Sequence, residues 1–358
     1  MKFFKKIKSL YKVSAFFSFA ILVSCGGGGS GQNDDLTLTP SNLTVNAEIV
    51  GASASNPNGD GSGKINFNIN ATNATSYKIL LGNGETKELT NGNFTYTYTA
   101  SGTNSYTVYV SAYNLSKFVS TSLTITIFVA PTATWSDEFN VDGAPNSSKW
   151  GYDLGAGGWG NNESQYYTNR PENVIVQNGI LKIKTIKENF SGSSYTSARI
   201  LTKGKFSFKY GKVEIKAKLP SGGGTWPALW MLGNNIDTVG WPASGEIDIM
   251  EAVGNTPNKI HGTLHHPGHS GGNGDGATTI IANASTEFHI YTLDWRADSI
   301  KFYVDNQLFY TFANSANLPF NQNFFIIINS AMGGNFGGAI DPNFVSSTFE
   351  IDYIRVYN

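Results

Sequence analysis

The chain has 358 residues, 40% hydrophobic and only 14% charged, with a formal net charge of −1. That balance excludes the basic footprint expected of a nucleic-acid or anionic-lipid binder. The one cysteine, Cys25, excludes an intramolecular disulfide.

Residues 1–12 carry five lysines and no acid, and residues 13–23 are apolar. A charged start followed by an apolar run too short to span a bilayer is a secretory signal. It ends Leu22-Val23-Ser24-Cys25, which resembles the lipobox of bacterial lipoproteins. The resemblance implies removal of residues 1–24, acylation of Cys25 and a lipid anchor on an exported protein of the bacterial cell envelope. Losing the five lysines takes the charge from −1 to −6. A mildly acidic protein has no call on nucleic acid, and a heavily sulfated polysaccharide would want a groove lined by Lys and Arg. Residues 25–35 are glycine-rich and read as a flexible tether.

Residues 36–129 are rich in Thr, Asn, Ser, Tyr and Val and hold neither Trp nor His. Alternating runs at 64–69, 94–98, 106–110 and 123–127 predict short strands, separated by turn signals at 56–61 and 82–84. Such spacing predicts a small immunoglobulin-like β-sandwich. Gly82-Asn83-Gly84 and Tyr106-Thr107-Val108 resemble a PKD-like module. A spacer is the default reading and glycan binding the alternative, since fold alone does not give function. Ala130-Pro131-Thr132 marks a boundary.

Residues 132–358 hold all seven tryptophans. No segment has helical periodicity over three turns, whereas 213–219 and 300–305 alternate cleanly, and 304–308 reads as a hairpin turn. The expectation is an all-β unit of two stacked antiparallel sheets with one face forming an open groove. Glycine loops at 222–224 and 271–276 lack the Lys-Ser/Thr of a phosphate loop and read as mobile cleft rims. Trp226 and Trp230 lie four apart and share a strand face, where flat indoles would stack on sugar rings.

The most informative segment is Gly245-Glu246-Ile247-Asp248-Ile249-Met250-Glu251. Its alternation predicts a strand with Ile247 and Ile249 inward and Glu246 and Asp248 outward. A regular strand would send Glu251 into the core, which is costly for a carboxylate. A β-bulge near Met250 would return it to the acidic face. Three carboxylates on one face repel, so one should keep a proton. One ionised carboxylate and one acid are what a retaining glycosidase uses. The plainer reading is the wet face of an antiparallel strand. All five histidines lie between His261 and His289. His265-His266-Pro267-Gly268-His269 does not match the helical HExxH pattern and no cysteine ligands accompany it, so a metal-dependent hydrolase is the weaker reading. His265 is better read as a hydrogen-bond partner of substrate or carboxylate.

TWSDEFN near Trp135, GGWGNNESQYYT at 157–168, YTSARILTKGKFSFKYGKVEIKAKLP at 195–220, TWPALWML, WPASGEIDIMEAVG, HGTLH and the terminal FEIDYIRVYN together are similar to glycoside hydrolase family 16, nearest its laminarinase branch. The resemblance runs from about residue 135 to 358. It implies a concanavalin-like β-jelly-roll sandwich with an open cleft, and an endo-acting retaining hydrolase of β-1,3-glucan. Mixed-linkage glucan, agarose, carrageenan or a non-catalytic glycan-binding role are the alternatives. The Glu-x-Asp-x-x-Glu spacing implies the bulged form of the strand. By resemblance Glu246 is the nucleophile, Glu251 the general acid/base, and Asp248 the residue that positions the nucleophile and tunes protonation. Trp226, Trp230, His265, Arg199, Asn161 and Trp159 match cleft-lining positions. Asp352, with backbone oxygens near Glu138 and Gly179, matches a structural calcium site away from the cleft. The resemblance implies no catalytic cofactor, and the chain is expected to act as a monomer on a polysaccharide. Met332 stands where a smaller residue is expected, on the aglycone side of the cleft.

Overall fold

The structure, a computed structural model, describes residues 38–358. The signal segment, Cys25 and the tether lie outside the described residues. The chain divides into two compact units, Met1–Val129 and Ala130–Asn358.

In the first unit a three-stranded sheet joins Ser41–Ile49, Lys64–Thr72 and Asn93–Thr97. A four-stranded sheet runs in the order Thr86–Leu89, Ser76–Leu80, Gly102–Asn114, Lys117–Val129. Alternate residues of both sheets, among them Ile65, Phe67, Ile79, Val108 and Ile127, meet in one core. Two small antiparallel sheets around a shared core are an immunoglobulin-like sandwich. The predicted strands at 64–69, 106–110 and 123–127 fall within observed strands and 94–98 overruns its strand by one residue, whereas Ser41–Ile49, Ser76–Leu80 and Thr86–Leu89 carry no such prediction.

The second unit stacks two large sheets. Eight strands of one follow the order Gln165–Tyr167, Ser193–Ser197, Ile180–Phe190, Ser346–Tyr357, Gly211–Lys218, His289–Trp295, Ser299–Val304, Gln307–Ala313. Val174–Gln177 and Trp135–Asp137 pair onto it, the latter against the last strand, so the two ends of the unit are stitched together. The other sheet has seven strands: β1 (Gly151–Asp153), β2 (Arg199–Leu201), β3 (Thr225–Gly233), β4 (Glu246–Glu251), β5 (Lys259–His265), β6 (Asp275–Ile280) and β7 (Phe324–Met332). Its antiparallel order is β6-β5-β4-β3-β7-β2-β1. This is the jelly-roll sandwich. Helix is confined to single turns such as Ile236–Val239 and Gly334–Gly337.

Period-two alternation decides which side chains face which layer. On β3, Leu229 and Met231 enter the inter-sheet core while Trp226, Ala228 and Trp230 face the opposite side. On β5, Ile260 and Leu264 are buried while His261, Thr263 and His265 face outward. Between them Gly262 packs so tightly that a Cβ would come within 2.9 Å of Phe302 and Phe309. The hairpin turn at Asp305-Asn306 has φ of 48° and 64° and joins Val304 directly to Gln307, the two-residue turn that matches strand twist.

Two sequence expectations are corrected here. Gly222–Gly224 is no cleft rim: the cleft lining excludes it, and at Gly224 (φ 90°) a Cβ would meet Ile340 at 2.8 Å. The segment is packed support beneath the turn at 334–337, whose preceding Gly333 donates its N–H to the Gly224 carbonyl at 2.7 Å. Met332 is fully buried and lies outside the cleft lining, so its bulk does not narrow the aglycone side.

Trp295, fully buried, anchors the core. Its ring packs edge-on to Phe208, Tyr210 and Phe324 at 5.2–5.7 Å, and its Nε1 donates to the Phe320 carbonyl at 3.1 Å. Trp295→Ala should cost about 3–5 kcal/mol, chiefly through the cavity left in the core. Urea denaturation followed by tryptophan fluorescence measures it; a loss below about 1 kcal/mol would show that the cluster is not the anchor.

Candidate active site

The strand carrying the carboxylates is irregular. Opposite β3, Met250 pairs with Leu229 and Asp248 with Trp230, leaving Ile249 without a partner. Opposite β5, Asp248 pairs with Thr263 and Glu251 with His261, three steps against two. One extra residue is a β-bulge. Ile249 and Met250 both sink into the core, and Glu251 emerges on the same face as Glu246 and Asp248. The expected bulge near Met250 is therefore present and spans Ile249 and Met250.

The three acids line the floor of a cleft of about 960 Å³ on the outer face of the seven-stranded sheet. Trp226 Nε1 donates to Glu251 Oε1 at 2.8 Å, and Trp241 Nε1 donates to Glu246 Oε2 at 3.0 Å. Each indole thus fixes one glutamate while presenting its ring to the cleft. His265 Nε2 stands 3.2 Å from Asp248 Oδ2 and 3.8 Å from Glu246 Oε1. Trp230 donates to Asn329 Oδ1 at 2.8 Å, and the Arg199 guanidinium lies between the Trp159 and Trp230 rings at 5.0 and 4.8 Å. Arg199 is held by Asp153 at 2.9 Å across the β1–β2 pair. Trp159 has φ 48°, an uncommon conformation for a bulky residue, held inside a glycine-rich turn. Asn161 places its Nδ2 3.4 Å from Glu163 Oε1. All six expected cleft residues, Trp226, Trp230, His265, Arg199, Asn161 and Trp159, line this one cleft.

Burial pushes Glu246 well above the usual carboxylate range; the neighbouring Asp248 adds to this, and His265 opposes it. Burial and then Glu251 push Asp248 well above its range. Burial raises Glu251, while the Trp226 N–H pulls the other way. Three carboxylates in one desolvated row do not all ionise at neutral pH. His265 and Arg199 oppose the rise at Glu246, and the Trp226 N–H and His265 oppose it at Glu251, so the row holds its retained protons in common.

Several cleft residues escaped the sequence reading. Trp241 sits in the β3–β4 loop, half-exposed, outside any alternating run. Glu163 is a half-buried carboxylate raised chiefly by burial; it accepts from Gln165 at 2.6 Å and Tyr167 at 3.1 Å. Tyr167 in turn accepts from Asn329 at 3.0 Å, so a polar chain runs from Glu163 to Trp230. Phe336 meets Trp226 and His261 edge-on at 5.4 and 5.0 Å. Glu163 and Tyr167 stand inside a recognised motif, and only that placement could have flagged them. Asp352, Glu138 and Gly179 lie elsewhere, on the other sheet, near where Leu181 pairs with Ile351 and Asp137 with Ile354. There Asp352 Oδ2 is 2.8 Å from Lys216 Nζ, and both Glu138 oxygens accept from Arg355. Glu138 thus has only its backbone oxygen to offer a cation, whereas the Asp352 carboxylate is held by one exchangeable lysine.

The family model for glycosyl hydrolases family 16 matches residues 161–355. The chain belongs to this family. The family 16 unit is 45% identical over 240 residues to a "Beta-glucanase" of Rhodothermus marinus, covering 62% of this chain and 84% of that one. It is 39% identical over 246 residues to a "Glucan endo-1,3-beta-glucosidase" of Cryptopygus antarcticus, covering 62% and 90%. The solved laminarinase of Rhodothermus marinus superposes with a TM-score of 0.62 at 43% identity, over 64% of this chain and 97% of that chain.

Two outcomes follow from the buried row of acids. A carboxyl raised on folding contributes stability below its unfolded pKa and loses it as pH rises through the folded value. At pH 7 the family 16 unit therefore bears a cost for its acids, and Glu251→Gln should relieve it. We expect a Tm roughly 2–4 °C above wild type at pH 7, the response of a unit this size to about 1 kcal/mol, with the gain vanishing near pH 4. A variant less stable at pH 7 than wild type would contradict the assignment. Asp248→Asn removes the charge that helps hold Glu246 up, so the acid limb of kcat/KM should move to lower pH while kcat falls. An unmoved limb would show that Asp248 does not tune Glu246.

Proposed function

We propose that this protein is an endo-acting retaining hydrolase of β-1,3-glucan of the laminarin type. The observation that carries the reading is the bulge in β4, which sets Glu246, Asp248 and Glu251 on one face of a tryptophan-lined cleft. Relatives named as β-glucanase, glucan endo-1,3-beta-glucosidase and laminarinase support the substrate class. An open groove admits the middle of a polymer, as endo action requires. In this mechanism Glu246, oriented by the Trp241 N–H, attacks the anomeric carbon. The bond to the leaving oxygen breaks as Glu251 donates its proton to that oxygen. Asp248, beside Glu246 on the same strand face, positions the nucleophile, and its negative charge opposes ionisation of Glu246 in the resting state. Water then enters, Glu251 takes its proton, and the glycosyl ester on Glu246 is hydrolysed with net retention. Trp226, Trp230 and Trp159 supply stacking faces, and Arg199, Asn161 and His265 supply polar contacts to the sugar.

The intact carboxylate row argues against a purely glycan-binding role. In our reading the first unit is a PKD-like spacer, Cys25 carries the lipid that holds a monomer at the cell envelope, and calcium is a structural ion at Asp352. Support for the last is the pairing of Leu181 with Ile351 and of Asp137 with Ile354, which runs the segments holding Gly179 and Glu138 along the part of the last strand that carries Asp352; calcium would take the place of Lys216 there.

Glu246→Gln should lower laminarin turnover by several orders of magnitude with little change in KM. Proton NMR of the first product should show the β-anomer. Near-normal turnover, or the α-anomer appearing first, would overturn the nucleophile assignment.

A further inference from the structure

We propose that His266, His269 and Asp275 form a binding site for a divalent transition-metal ion, with Zn2+ the best match, outside the catalytic cleft. His265 faces the cleft, and strand alternation turns its neighbour His266 the other way, against Phe312 and Phe320. His266 and His269 are the ends of a tight turn closed by reciprocal backbone bonds of 2.8 and 2.9 Å. Pro267 and Gly268 (φ 85°) occupy its corners, the pairing a type II turn favours. The turn stacks the two imidazoles, with centroids 4.7 Å apart and planes 20° from parallel. Asp275, the first residue of β6, closes the third side. Its Oδ2 lies 2.9 Å from His266 Nε2 and 3.1 Å from His269 Nδ1. One donor atom from each residue falls within 4.8 Å of the others.

These spacings suit a metal. Tetrahedral zinc with bonds of about 2.0–2.1 Å sets its ligand atoms roughly 3.3 Å apart, close to the two separations between Asp275 and the imidazoles. Two imidazole nitrogens and one carboxylate are a donor set for zinc and its transition-metal neighbours, not for calcium or magnesium. Preorganisation is built in: His266 is 6% exposed and its ring is fixed by aromatic neighbours, while Pro267 and Gly268 set the turn. His269 is half-exposed, which leaves the fourth position to water. An ion here would clamp both ends of residues 270–274, whose Gly271, Gly272 and Gly274 line the cleft. Gly274 presses on His265 so closely that a Cβ would lie 2.6 Å from its ring. The proposal stands apart from the catalytic reading, because none of the three residues lines the cleft.

The test is calorimetric titration of the tag-free, chelator-treated protein with ZnCl2. One equivalent should bind, Ca2+ and Mg2+ should not compete, and Zn2+ should raise the Tm by linkage. His269→Ala, at an exposed position, and Asp275→Asn should each weaken binding at least about tenfold, as loss of a ligand requires. The second histidine–carboxylate group, Glu246, Asp248 and His265, lies in the cleft. Glu246→Gln should therefore leave the zinc stoichiometry unchanged. Absence of stoichiometric binding to the wild type overturns the proposal without reference to any variant. So does binding that survives the His269→Ala/Asp275→Asn double change, or that disappears in Glu246→Gln.

Discussion

Three carboxylates held in one desolvated row are the constraint around which the larger unit is arranged. In water such groups would ionise independently; on the floor of the cleft each raises the proton affinity of the others. The fold tolerates them because every neighbour is chosen to share the load. Trp226 and Trp241 donate to the outer two acids, His265 stands beside the middle one, and Arg199 contributes positive charge from β2. The same environment that opposes charge keeps a proton where an acid is needed. Stability and reactivity are thus set against each other within a single strand.

The bulge makes the row possible, and the sheet behind makes the bulge possible. Sending both Ile249 and Met250 inward adds an apolar side chain to the core at a point where a regular strand would have placed a glutamate. Both side chains join the core cluster that also holds Ile260, Leu264 and Phe302, three residues with no exposed surface. Layering then extends outward. Indoles on β3 stand over the acids, and the Arg199 guanidinium bridges Trp230 to Trp159 on a separate loop. The chain Glu163–Tyr167–Asn329–Trp230 ties that arrangement to the edge of the opposite sheet.

Much of this was legible beforehand. Alternation located the strands, the Glu-x-Asp-x-x-Glu spacing implied the bulge, and the tryptophan spacing placed two indoles on one face. The errors share a cause. Gly222–Gly224 reads as a loop, but whether a glycine loop is open or packed depends on residues far along the chain, here Ile340 and Gly333. Met332 looks intrusive until its strand face is known. Trp241 and Glu163 belong to loops, where periodicity carries no information about direction.

Local pattern therefore determined the all-β class, the acidic strand and its irregularity, because period, turn chemistry and the cost of burying a carboxylate act over a few residues. The tertiary structure alone decided which indole holds which glutamate, that burial raises all three acids, and that His265 and His266 serve opposite faces. Those outcomes depend on distances between strands far apart in sequence, and on the desolvation that only the packed sheets create.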